Sequence, residues 1–326
     1  MVVPSFGAGT SRFGPAAPTR VGPVVPGSDG TTPRTGPRAY RGPVSADDGT
    51  RRLGAYLRAR RALVTPEQAG IPGGANRRVA GLRREEVALL AGISADYYLR
   101  LEQGRDRNPS AQVLDALARV LRLDDVEAAY LRDLAAPRPR SRPRRRQPER
   151  VPERLHHLLA ALDVPAFVEG RAFDVLAANP LAAAFSPRLR PGENRLRSLL
   201  LDPEERAFHA DWDAAVAGFL GAFRQSVGDD ADDPRVVELV GELSLSSARF
   251  RSLWARQDVR PLTGGTTVVH HPVVGELTLH RDKLPVEGVV LVVYYADAGS
   301  PSAERLRLLG ALAAEDAGVA GDVVSG

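Results

Sequence analysis

Asp96 and Arg100 stand four residues apart in the run ADYYLRLE, residues 95–102. That spacing is about one helical turn, so a helix through this run carries both side chains on one face. A guanidinium placed there can donate two hydrogen bonds to guanine O6 and N7, and a carboxylate can accept one from cytosine N4. Ala95 is small enough to touch a thymine methyl, and Tyr97 and Leu99 take the remaining outward positions. Ala95, Asp96, Tyr97, Leu99 and Arg100 are therefore the predicted readers of base edges. Arg84 opens a predicted helix, where side chain and helix dipole together suit a phosphate. Arg105, Arg107, Asn108 and Ser110 precede another helix and are the further predicted phosphate contacts. Contacts of the second kind position a protein on a duplex, and those of the first kind specify sequence.

Other chemistries find less support. The chain has no Cys, which excludes disulfides, thiolate zinc sites and a Cys nucleophile. His156-His157 and His270-His271 are adjacent pairs. Neighbours on one helix or strand point apart, so neither pair makes a metal site without a third ligand from elsewhere. There is no G-x-S-x-G elbow, no P-loop and no dinucleotide fingerprint. No enzyme, cofactor or metal is expected. No apolar run approaches the ~18–20 residues of a membrane span, and no signal pattern opens the chain, so a cytoplasmic, nucleoid-associated protein is expected.

The readers need a frame. Residues 84–91 and 95–103 predict two short amphipathic helices hinged at Gly92. Val87, Ala88, Ala91, Ile93, Tyr98 and Leu101 occupy the inward positions, all apolar or aromatic. Ala88 is small where the second helix must approach. Gly92 suits the left-handed backbone that closes the first helix, and Ser94 can cap the second. Further helices are predicted over residues 51–63, from the Asn108-Pro109-Ser110 signal to 121, and over 125–134 with Asp124 as cap. Two short helices with this hinge form a helix-turn-helix, whose second helix lies in the major groove.

Charge divides the chain. Residues 1–150 hold 27 Lys+Arg against 15 Asp+Glu, a net +12, and residues 151–326 hold 17 against 25, a net −8. Only the front half is suited to a polyanion. The predicted organisation is a Pro/Gly-rich disordered segment over 1–46, a DNA-binding domain over 47–136, an Arg/Pro-rich linker over 137–150, a second domain over 151–314 and a frayed tail over 315–326. Met1 is the only Met, so a start at a Val codon such as Val44 stays open.

LGAYLRARRAL followed by GLRREEVALLAGISADYYLRLEQGRDRNPSAQVLDALARVLRL resembles the Cro/C1-type (xenobiotic-response-element) helix-turn-helix regulators. The resemblance implies that Arg61 of the first helix pairs with Glu102 at the end of the reading helix, a brace and not a DNA contact. The departure is the long insert 64–81, whose Arg77 and Arg78 are open to two readings, phosphate contact or solvated loop charge.

The second half reads as mixed α/β. PAFVEG and AFDVLAAN form a hairpin over Gly170-Arg171, residues 196–223 and 235–257 are helical, and TTVVHHPVVGELTLHRDKL and VVLVVYYAD are strand-rich. A last helix is expected over 301–314. The insert together with DVLAANPLAAAF, FRSLWARQDVRPLTGGTTVVHHPVVGELTL and VVLVVYYADAGSPSAERLRLL resembles the MmyB-like regulators. That resemblance implies an α/β PAS-like ligand-binding domain behind an all-α DNA-binding domain, with a pocket for a hydrophobic, fatty-acid-like small molecule. Asn179, Trp254, Arg256, Arg260, His271 and Tyr295 are the candidate ligand residues. For Trp254 core packing is the stronger reading, Arg256 and Arg260 can instead pair with Asp258, and Asn179-Pro180 can simply end a strand. A homodimeric, ligand-responsive regulator follows. The alternative is an interaction protein whose helix-turn-helix docks a protein partner.

Overall fold

The computed structural model describes residues 47–72, 77, 79–106, 108–136, 149–228, 232–261 and 263–324, and for 47–48 and 315–324 the backbone alone. The segment 1–46, Arg78, Arg107 and nearly all of the 137–150 linker lie outside the described residues.

The first domain is helical: α1 (Asp47–Leu63), α2 (Arg84–Ala91), α3 (Ala95–Glu102), α4 (Ala111–Val120) and α5 (Asp125–Ala135). Local signals set most boundaries. Gly92 adopts φ 68° at the end of α2, and the Ser94 hydroxyl accepts from the Tyr97 N–H at the start of α3. Ser110 caps α4 in the same way, and Asp124 and Glu127 form a reciprocal capping box on α5. Such a cap stabilises by about 1 kcal/mol. α1 starts at Asp47, earlier than the predicted 51. Leu53, Tyr56, Leu57, Val87, Tyr98, Leu101 and Leu117 form the core. At Gly54 a Cβ would lie 2.4 Å from the Glu102 carbonyl oxygen. α1 and α3 touch backbone to backbone there, a contact any side chain would prevent.

The second domain opens with α6 (Glu153–Ala161) and the hairpin β1 (Ala166–Glu169) and β2 (Val175–Ala178). Then come α7 (Pro180–Phe185), α8 (Arg195–Leu201), α9 (Pro203–Phe208), α10 (Trp212–Val227), α11 (Pro234–Ser246) and α12 (Ala248–Ala255). The long helical stretches expected over 196–223 and 235–257 are thus broken, at Asp202-Pro203, at His209 to Asp211 and at Ser247. In each case an Asp or Ser caps the next helix. The strands β3 (Gly265–His271), β4 (Gly275–Val286) and β5 (Val289–Tyr295) complete an antiparallel five-stranded sheet of order β2-β1-β5-β4-β3. The last helix, α13 (Pro301–Val324), continues past the expected end at 314.

Helices cover one face of the sheet, and α6 covers the other around β1 and β5, leaving outward residues of β3 and β4 such as His270, Glu276 and Thr278 exposed. Ala166, Val168, Val289 and Leu291 pack against Leu155 and Leu159 of α6. Phe167, Leu277, Leu279, Val292 and Tyr294 pack against Phe185 of α7 and Leu306 and Leu309 of α13. Strand alternation carries Glu169, Arg281 and Lys283 onto this second face. Beside it, α8 and α10–α12 form a separate core around Phe173, Phe223, Leu239 and Phe250.

Candidate nucleic-acid interface and the cleft behind it

Helix α3, which carries the candidate base-reading residues, is fixed from below. Glu102 is 2% exposed and its carboxylate accepts from Arg61 Nε at 2.6 Å and from Arg84 Nε at 2.7 Å. Burial works to raise its pKa, but the hydrogen bonds from Arg61 and Arg84 outweigh that and hold it below the usual carboxylate range. Arg61 also donates to the Leu82 carbonyl at 2.8 Å, so one guanidinium joins α1, α3 and the approach to α2. The brace implied by the family resemblance is present, with Arg84 as an additional partner.

Ala95 and Asp96 are exposed, while Tyr97, Leu99 and Arg100 are half-buried. Arg100 pairs with Asp96 one turn away and lies 5.6 Å from the Tyr97 ring centroid. The two candidate base-reading residues thus pair with each other, a surface ion pair of small worth. Arg105 and Asn108 are exposed, and Ser110 is exposed while capping α4. Arg84 keeps 44% of its side chain exposed despite its bond to Glu102. Arg77, open to two readings in the sequence, donates to Glu86 at 2.5 and 2.7 Å and to the Gly81 carbonyl at 3.0 Å. It pins the insert to the start of α2 and is engaged by protein.

A cleft of about 600 Å³ opens between α10 and the β3–β4 edge. Its floor comes from one stripe of α10, Ala214, Gly218 and Ala222, spaced four apart, with Phe219 and Phe173 beside them. Small residues at that spacing leave a groove, and a Cβ at Gly218 would meet nothing within 4 Å. The opposite wall is polar: Thr266 and Thr267 on β3, Arg281 and Lys283 on β4, and Arg260 at the rim. Among the described residues neither Arg260 nor Arg281 has a carboxylate partner. Deeper on the same face, Arg195 is buried between the Phe167 and Phe219 rings, 5.0 Å from each centroid, with its Nη1 unpartnered.

Of the six candidate ligand residues, Arg260 lines this cleft and the other five do not. Asn179 is buried and saturated by backbone, accepting from Ala166 and Ala182 and donating to the Leu162 and Val164 carbonyls. Trp254 stacks on Phe250 at 5.3 Å within the helical core. Arg256 is exposed and bonds Asp258 at 2.8 Å. His271 accepts through Nδ1 from the Val273 and Val274 N–H groups, and its Nε2 faces the Ala184 carbonyl at 3.1 Å, closing the β3–β4 turn. Tyr295 lies on the outer face, donating to Asp282 at 2.8 Å, while its neighbour Tyr294 points inward. Sequence reasoning missed Phe173, Gly218, Arg281 and Lys283. The small-residue spacing in AAVAGFLGA and the fact that Lys283 is the only Lys were the available signals.

Side chains of α1 and the segment 258–260 join the domains. Val259 is 1% exposed and sits in the core of the DNA-binding domain. Asp258 accepts from Arg60 of α1 at 2.8 Å, and Arg52 of α1 donates to the Gly228 carbonyl at the end of α10. Next in the chain, Arg260 lies against Gly221 of α10, so the segment 258–260 runs from the DNA-binding core to the cleft. Arg224 holds its near end, donating to Gln257 and to the Trp254 carbonyl, and burial lowers its pKa to about 10.

A braced helix-turn-helix, joined to a domain with an open cleft, defines the class: a DNA-binding helix-turn-helix module coupled to a small-molecule-sensing module. Two family models match the chain, a helix-turn-helix domain over residues 52–131 and the MmyB-like transcription regulator ligand binding domain over residues 151–309. The chain thus carries a helix-turn-helix domain followed by an MmyB-like ligand-binding domain, the architecture of a helix-turn-helix transcription regulator. A search of curated proteins finds no match. Among the described residues no three His, Asp or Glu side chains group to hold a metal, and no helix is long and apolar enough to cross a membrane.

Proposed function

We propose that this regulator binds a specific DNA sequence as a homodimer, associated with the nucleoid in the cytoplasm, and that a hydrophobic, fatty-acid-like molecule in the α10 cleft sets its DNA affinity. The observation that carries the reading is the segment 258–260, which links the cleft to α1 and so to the brace under α3. A dimer presents two α3 helices to half-sites about one turn, ~34 Å, apart. Ala95, Asp96, Tyr97, Leu99 and Arg100 face base edges. Arg84, Arg105, Asn108 and Ser110, with Arg107, face phosphates.

The second domain is PAS-like in this reading, supported by a five-stranded antiparallel sheet of order β2-β1-β5-β4-β3 with helices packed on the ligand face. The hydrocarbon lies on Ala214, Gly218, Phe219 and Ala222, and a polar end meets Arg260 and Arg281. A ligand acts only to the extent that it favours one arrangement of the segment 258–260 over another.

Titrating the full chain with duplex DNA at several salt concentrations tests the DNA half. Affinity that falls steeply with salt and differs between sequences supports it, since phosphate contacts release counterions. Affinity indifferent to salt overturns it in favour of the protein-docking reading. Mass spectrometry of small molecules that co-purify with the protein tests the sensing half.

A further inference from the structure

Of the 44 Lys and Arg residues in the chain, Lys283 is the one Lys. It lies at the inner end of the cleft, its side chain 4% exposed, with Nζ 4.6 Å from the Phe173 ring centroid and 5.6 Å from that of Phe219. Lys differs from Arg in one respect that matters here: its amine can lose a proton and become a nucleophile. Two features activate buried lysines, loss of solvent and neighbouring cations. Both are present. Burial, with Arg195 and Arg281 nearby, draws the Lys283 ammonium below its ordinary pKa, against the attraction of Glu169.

Glu169 completes the arrangement. Its Oε1 accepts from Lys283 Nζ at 2.5 Å, its side chain is fully buried, and its Oε2 has no partner. In a dry interior the cost of two charges brings the neutral amine–carboxylic acid form of such a pair closer in energy to the ion pair. A salt bridge used only for stability has no need of an open cleft beside the amine or of an unpartnered carboxylate oxygen.

We propose that Lys283 captures a carbonyl compound, an aldehyde or ketone whose apolar body lies on the α10 floor, as a reversible imine. This rests on the ligand-sensing reading and names the reactive group of the ligand. Glu169 first takes a proton from Nζ. The amine nitrogen then attacks the carbonyl carbon, and the C=O electron pair moves to oxygen, which takes the proton from Glu169. Glu169 next removes a proton from the cationic nitrogen and delivers it to the hydroxyl, which leaves as water while the nitrogen lone pair closes the C=N bond. The net change is ammonium plus carbonyl giving protonated imine plus water, with Glu169 regenerated and no electron transferred.

The test uses the full-length protein, decanal as probe and cyanoborohydride to trap the imine, with intact-mass measurement and peptide mapping. The expected result is one decyl group on Lys283, competed by excess decanol, which fills the cleft without reacting. Lys283→Arg retains the charge opposite Glu169 and loses the adduct. The double variant Lys283→Met, Glu169→Gln loses it without leaving a buried charge unpaired. Glu169→Gln alone slows labelling at least tenfold while decanol still binds. Decanol binding with Lys283 unmodified overturns the imine and leaves the ligand-sensing reading standing. If neither decanol binds nor Lys283 reacts, both the imine and the apolar-ligand reading fall. Labelling of Lys283 that decanol does not compete places the reaction outside the cleft and also overturns the proposal.

Discussion

Arg60 of the DNA-binding domain donates to Asp258 of the ligand-binding domain at 2.8 Å while its other terminal nitrogen lies 2.6 Å from Glu127 of α5. One guanidinium, mostly buried, therefore belongs to the helical bundle and to the interdomain seam at once. Any movement of the segment 258–260 acts directly on α1, and α1 touches α3 through Gly54 and Arg61.

Asp258→Ala removes that link and leaves the Arg60–Glu127 pair. We expect faster amide hydrogen exchange in α1, a stability loss of about 1–2 kcal/mol in chemical denaturation, and a DNA affinity that no longer depends on cleft occupancy. Unchanged exchange in α1 sinks the coupling role of this contact.

Arg100→Ala should relax base preference at one operator position, with a discrimination loss of about 1–3 kcal/mol, and leave other positions alone. Arg105→Ala should weaken all sequences alike and reduce the salt slope by about 1. Binding to a panel of duplexes scanned one position at a time separates the two. A uniform effect of Arg100→Ala means that α3 does not face the bases as proposed.

Glu102 makes the bundle acid-sensitive. Its pKa in the fold lies below that of the unfolded chain, about 4.3. Its contribution is therefore complete above that value and is lost as pH falls through the folded pKa. Glu102→Gln should cost about 3 kcal/mol or more at neutral pH, because Arg61 and Arg84 lose their charge partner. The difference from the parent protein should shrink below about pH 4. Denaturation midpoints across pH test this, and a constant difference down to pH 3 contradicts it.

Gly218 lies mid-helix with open space where its side chain would go. Gly218→Ala should stabilise the domain by about 1 kcal/mol through helix propensity. Gly218→Phe should fill the cleft, keep the fold and abolish co-purification of a ligand. A Gly218→Phe protein that still carries the same small molecule shows that the ligand sits elsewhere.

The helix-turn-helix was legible in the chain because its signals are local. Gly92 closes α2, Ser94 caps α3, Asp124 and Glu127 bracket α5, and the apolar spacing names the buried face. Helices are built from contacts three or four residues apart, so neighbours in sequence carry the information. Even the α/β character and the β1–β2 hairpin follow from short-range pattern. The lining of the cleft did not follow. Asn179, His271 and Trp254 carry chemistry suited to a ligand, but backbone groups and the Phe223 and Phe250 rings occupy them. The cleft, the Glu169–Lys283 pair across 114 residues and the Arg60–Asp258 contact across 198 exist only once the sheet order places β1 and β4 on either side of β5 and the two domains close on Val259. Which polar groups meet in a dry interior is set by strand register and domain packing, and neither is written in the spacing of residues along the chain.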